Sequence, residues 1–114
     1  MLSRVLAFGL LAMAASWAIS AKTLTGRQVF ALTCHVCHAG GVAGAPPLGD
    51  VKAWRPHLAK GLRVLEAHAI HGYYGYSFMP PKGGDESLTD QEVRAAVKYM
   101  VASVRPGRRL DPRQ

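Results

Sequence analysis

The clearest pattern of apolar positions lies near the C-terminus. Val93, Ala96, Val97, Met100, Val101 and Val104 recur at i, i+3, i+4, i+7, i+8 and i+11, which is one continuous face of an α-helix. Thr89 and Glu92 form a capping box at its start, with Leu88 and Val93 placed as a hydrophobic staple. Pro106 and Gly107 are its predicted stop. The same signature occurs earlier: Thr25 with Gln28, and Leu24 with Val29. That predicts a helix carrying Val29, Phe30 and Leu32 on its apolar surface and running into Cys34. Between the two, residues 40–49 are rich in Gly and Pro and read as a loop. Pro56 suits the first turn of a short helix ending near Gly61. Leu62, Leu65, Ala69 and Ile70 mark another, stopped by Gly72. Residues 73–84 hold three glycines and two prolines and read as a second loop. Nothing alternates with period two, so no sheet is expected, and no repeat is present. The predicted class is all-α, with four to five short helices.

The N-terminal pattern is of another kind. Arg4 precedes an apolar run over residues 5–19, and the small residues Ala18, Ser20 and Ala21 close it. A basic start, an apolar stretch and a small-residue end make a secretory signal peptide. The run is shorter than the ~20 apolar residues of a spanning helix. The expected organisation is a signal peptide over residues 1–21, one domain over 22–106 and a basic, flexible tail over 107–114. The expected fate is export to an oxidising compartment, with membrane association only through membrane-bound partners or an uncleaved signal.

Charge narrows the function. Fourteen Lys and Arg stand against seven acidic residues, a net charge of +7. Apart from Arg105, Arg108, Arg109 and Arg113 the basic residues are scattered, and no basic helix carries interleaved aromatics, so nucleic-acid binding is not expected. Scattered positive charge instead steers an acidic partner. Lys52, Lys60 and Lys82 are candidates for that encounter, or for plain solvation.

The candidate chemistry is Cys34-His35-Val36-Cys37-His38. C-x-x-C-H reads as a c-type haem attachment site: two thiols joined to one edge of a haem, with the adjacent histidine ligating its iron. Cys34 and Cys37 are the candidate thioether anchors, and His38 the proximal ligand. Other chemistries use the same residues. A thioredoxin-like redox pair needs a βαβ context, which is lacking. A zinc site needs a second pair of ligands, and no second knuckle follows. A disulfide is permitted by export but leaves His38 unexplained.

Within the haem reading, the second iron ligand is Met79, a soft thioether stiffened by Pro80 and Pro81. Met100 belongs to the helical apolar face, and His57, His68 and His71 lie on or beside predicted helices. His/Met ligation raises the reduction potential and fills both axial positions, which favours electron transfer. A ligating histidine donates its other N–H to a carbonyl, and Pro46 or Pro47 can supply one. Leu48 is a candidate for the haem face or the core. Trp54 and Arg55 are candidates for hydrogen bonds to a propionate, with Trp54 equally placed as a core aromatic. Tyr73, Tyr74 and Tyr76 can line the crevice or cover the surface. No small-molecule substrate is expected. A haem enzyme is the rival from another class, and requires Met79 to be displaced. A zinc- or disulfide-stabilised binding module requires no haem.

The strings C-H-V-C-H from Cys34, G-A-P-P-L-G-D from Gly44, W-R-P-H-L-A-K-G from Trp54, A-I-H-G from Ala69, M-P-P-K-G-G from Met79 and L-T-D-Q-E-V-R-A-A-V-K-Y-M from Leu88 together resemble class I c-type cytochromes, most of all the bacterial cytochrome c5 family. The resemblance implies a small cytochrome c fold around one covalent haem c, with iron held by His38 and Met79. It further implies a crossing of the first and last helices at Gly26, Phe30 and Tyr99, and an electron carrier of the bacterial periplasm rather than an enzyme. Some similar cytochromes carry an extra cysteine pair after the M-P-P loop. This chain has Gly83-Gly84-Asp85-Glu86-Ser87-Leu88 there, so the Met79 loop is expected to open more easily.

Overall fold

The computed structural model describes residues 15–16, 18, 20–75 and 77–107. Most of the expected signal segment, the tail beyond Gly107, and Tyr76 lie outside the described residues. The chain begins its helical course at Thr25, whose hydroxyl accepts from the Gln28 N–H at 3.2 Å while Gln28 Oε1 accepts from the Thr25 N–H at 2.9 Å. The reciprocal pair satisfies two helix-start donors. Helix α1 (Gly26–Val29) passes into a π-helical turn (Phe30–Cys34), closed where the His35 N–H donates to the Phe30 carbonyl, and then into α2 (His35–His38). The helix therefore runs past Cys34 to His38, with one residue more in that turn than an α-helix would hold.

Helix α3 spans Val51–Leu58. It starts earlier than Pro56 suggested, because Asp50 Oδ1 accepts from the Ala53 N–H at 2.9 Å and sets the cap. Pro56 thus sits inside the helix. Lys52 and Pro56 are both exposed, so water can serve the carbonyl that the missing N–H leaves unpaired. Helix α4 (Leu62–His71) ends at Gly72, in the left-handed region at φ 87°. A side chain at Gly72 would press on Pro81 and on the Met79 carbonyl.

The segment expected to be only loop contains a two-residue antiparallel ladder, β1 (Tyr73–Tyr74) with β2 (Phe78–Met79), pairing Tyr73 with Met79 and Tyr74 with Phe78. A 3-10 turn over Pro81–Gly84 follows. Helix α5 (Asp90–Ala102) has the expected Thr89–Glu92 box. It stops before Pro106, where Ser103 donates its hydroxyl to the Met100 carbonyl.

The predicted face of α5 is buried throughout, from Val93 to Val104. It packs with Val29, Leu65, Ala69 and Ile70 in one core, where each fully buried Val, Leu or Ile contributes about 1.5–3 kcal/mol over exposure. At the crossing of α1 and α5, a Cβ on Gly26 would collide with the Ala95 carbonyl. Phe30 and Tyr99 pack beside it, their ring centroids 5.5 Å apart. Glu92 adds a polar tie. Its Oε2 accepts from the Leu24 N–H at 2.9 Å, so the carboxylate that caps α5 also holds the chain entering α1. These contacts fix the helix bearing the cysteines against α5.

Candidate haem site

A cavity of about 440 Å³ opens among these elements, a volume typical of ligand sites. Its wall includes Cys34 and Cys37 from the first helical segment, His38 at the end of α2, and Met79 on β2. Apolar wall comes from Leu65, Ala69, Val97 and Met100. Both cysteines are free thiols. Burial pushes the Cys34 thiol up to about 11, so it stays S–H at neutral pH.

His38 is buried, and its Nδ1 lies 2.9 Å from the Pro46 carbonyl. A carbonyl can only accept, so Nδ1 carries the proton and the Nε2 lone pair is left for a metal. Burial moves His38 below the usual imidazole range, opposed by the Pro46 hydrogen bond. The neutral form is the one that ligates. The two consecutive prolines divide their work. Pro46 orients His38, and the Pro47 carbonyl accepts from Trp54 Nε1 at 2.8 Å. Trp54 stacks along His38 with ring centroids 6.0 Å apart. Its indole N–H is thereby committed to backbone and is not the propionate donor considered from sequence. Trp54 does line the cavity, whereas Leu48 does not. Leu48 packs against the core, and its N–H donates to the His38 carbonyl at 2.7 Å.

Met79 is half-buried, and its backbone is fixed by pairing with Tyr73. The turn that follows is tied down by side chains. Lys82, at φ 54°, donates Nζ to the Leu88 carbonyl at 2.7 Å and pairs with Asp90 at 3.4 Å. Asp85 Oδ2 accepts from Thr33 Oγ1 at 3.4 Å. These contacts occupy the region where a cysteine pair is missing. They also turn Lys82 toward α5, away from the role of a free cation for docking.

Sequence reading favoured a core role for Met100 and Val97 and ranked His57 and His68 behind Met79 as iron ligands. All four line the cavity. Helical spacing marks a buried face but does not tell whether it meets protein or ligand. Among the described residues no three His, Cys, Asp or Glu side chains converge as a metal site. The His38 nitrogen left free by Pro46, two thiols and a thioether around an apolar cavity fit a haem.

Comparison with known proteins agrees. The family described as cytochrome c oxidase, cbb3-type, subunit III matches residues 21–100. Cytochrome c-555 of Chlorobaculum thiosulfatiphilum is 48% identical over 77 residues, covering 67% of this chain and 90% of that protein. Cytochrome c5 of Ectopseudomonas mendocina is 39% identical over 75 residues, covering 64% and 83%. A cytochrome c solved in an electron-transfer complex with nitrite reductase superposes with a TM-score of 0.63 at 44% identity, covering 70% of this chain and 94% of that one.

Proposed function

Because the chain belongs to the class I c-type cytochromes of the c5 type, electron carriers with one covalently attached haem c, we propose that Cys34 and Cys37 form the thioethers and that His38 and Met79 are the axial ligands. The observation that carries this reading is that all four residues line one cavity. His38 offers Nε2 because Pro46 holds its other nitrogen. Met79 is presented by the short ladder and the stiff Pro80–Pro81 pair. Bound there, the haem supplies a one-electron Fe(II)/Fe(III) couple, and thioether ligation sets it toward the higher potentials. The protein acts as an exported carrier in the periplasm. It meets redox proteins through a transient contact of the small class, with acidic groups of the partner facing Lys52 and Lys60.

The test is optical. The full chain is expressed with haem-attachment machinery and its spectrum recorded. The expected result is a reduced c-type spectrum together with the weak far-red thioether–iron(III) band, and loss of that band in Met79→Ala. Absence of covalent haem, or a band that survives in Met79→Ala, overturns the assignment.

A further inference from the structure

The loop that brings the Pro46 carbonyl to His38 is held by hydrogen bonds, one residue after another. Pro46 accepts from His38 Nδ1 at 2.9 Å. Pro47 accepts from Trp54 Nε1 at 2.8 Å and from the Asp50 N–H at 3.1 Å. The Leu48 N–H donates to the His38 carbonyl at 2.7 Å. All of these stay within residues 38–54. Among the described residues, one hydrogen bond from residues 46–50 reaches another part of the fold. The Gly49 N–H donates to Ser103 Oγ at 3.0 Å, across 54 positions. Gly49 is exposed, and no atom stands within 4 Å of where its Cβ would be, so side-chain packing does not replace that bond. Ser103 is half-buried between the buried residues Ala102 and Val104. Its hydroxyl proton is given to the Met100 carbonyl, which fixes the oxygen and leaves a lone pair for Gly49. The donation to Met100 serves the end of α5. The bond from Gly49 adds nothing to the helix.

Resting on the assignment of His38 as an iron ligand above, we infer that Ser103 is a positioning residue for His38: through Gly49 it pins the loop whose Pro46 carbonyl orients the imidazole. The end of α5, a helix whose Val97 and Met100 line the cavity, is thereby tied to the ring on the opposite side of the site. A histidine whose second N–H is firmly held is a more basic metal ligand. A more basic ligand favours the higher oxidation state of iron, and hydrogen bonding around a ligand is one means by which a protein sets the potential. Without the Ser103 hydroxyl the Pro46 carbonyl moves more freely from Nδ1, and the couple shifts to higher potential.

The experiment uses the full chain expressed with haem-attachment machinery. Exchange of the Gly49 N–H and of the His38 Nδ1–H is followed by NMR, and the midpoint potential is read by spectroelectrochemistry. In the wild type the Gly49 N–H is expected to exchange slowly although it is exposed. In Ser103→Ala both protons are expected to exchange about tenfold faster, the ratio that one hydrogen bond of ordinary net strength gives. The ratio of reduced to oxidised protein at a fixed applied potential is expected to rise about threefold, an upward shift of about 28 mV. Ser103→Thr keeps the hydroxyl and is expected to hold all three readings near wild type. Thr25→Ala removes a hydroxyl that caps α1 and is the control for lost stability alone; its Tm is expected to fall with the His38 exchange and the potential unchanged. Rapid Gly49 exchange in the wild type overturns the proposal. So do a His38 exchange and a potential that stay at wild-type values in Ser103→Ala, equal shifts in Thr25→Ala, or a Ser103→Thr protein that matches Ser103→Ala. A wild-type protein without covalent haem overturns the underlying assignment instead, and its spectrum tells the two failures apart.

Discussion

One carboxylate joins the two ends of this fold. Glu92 accepts from the Thr89 N–H and hydroxyl, each at 3.0 Å, and from the Leu24 N–H at 2.9 Å. The N–H of Thr89 is the strongest influence, then that of Leu24 and the Thr89 hydroxyl, and together they hold Glu92 below the usual carboxylate range. A carboxyl with a lower pKa folded than unfolded adds stability above its unfolded pKa. It loses that stability as pH falls through the folded one. Glu92→Gln is therefore expected to lower Tm at neutral pH, with the gap to wild type closing in acid below the ordinary glutamate range. Melts across that range check it, and a gap that persists unchanged would assign the loss to packing. Sequence shows half of this residue's role. The capping box is legible because Thr89 and Glu92 are three positions apart. The bond to Leu24 spans 68 positions and leaves no local trace. His38 was legible for the same reason as the box, since C-x-x-C-H is contiguous. Its partner at Pro46 was narrowed to two adjacent carbonyls, and only the folded loop distinguishes them.

At the scale of elements, the helices announced themselves and the connections did not. The apolar periodicity of α5 and the glycine ending α4 follow from local geometry. Two residues per strand are too few for alternation to register, so the ladder carrying Met79 was invisible. The cap at Asp50 was overshadowed by Pro56, which solvent exposure lets the helix interior tolerate. The turn after Met79 is held by contacts that sequence suggested were missing. Lys82 is a non-glycine residue in the left-handed region, a conformation that costs about 1–3 kcal/mol. Its hydrogen bond to Leu88 and its pairing with Asp90 offset that cost. Given Met79 as ligand, Lys82→Met is expected to raise the affinity of the ferric protein for imidazole about tenfold, the ratio that ~1.4 kcal/mol of lost anchoring gives. An imidazole titration followed in the far-red band measures it, and unchanged affinity would show that the latch does not restrain Met79.

At the scale of the whole molecule, a chain with a net charge of +7 folds around an apolar cavity. Electron exchange with an acidic redox protein should slow as salt rises, because encounters between exposed charges are screened within about 10 Å at 0.1 M ionic strength. Stopped-flow rates across ionic strength test this, and rates that hold steady or climb would place docking on uncharged surface. The exposed apolar residues Leu32, Val36, Val42 and Phe78 all belong to the cavity wall, so a salt-independent rate would direct attention to them. The π-helical turn over Phe30–Cys34 has a consequence for the molecule as an assembled object. It acts as a phase shifter between two jobs done by one helix. Gly26, Val29 and Phe30 are locked to α5, and the extra residue resets the angle at which Cys34, Cys37 and His38 emerge. Deleting the exposed Ala31 would restore regular winding but turn everything downstream by about 100° and slide it by about 1.5 Å. The expected product keeps its helical circular dichroism yet captures little haem, measured as haem absorbance per chain. Full haem loading in that deletion would mean that the cysteines find the cofactor without help from the helix's winding.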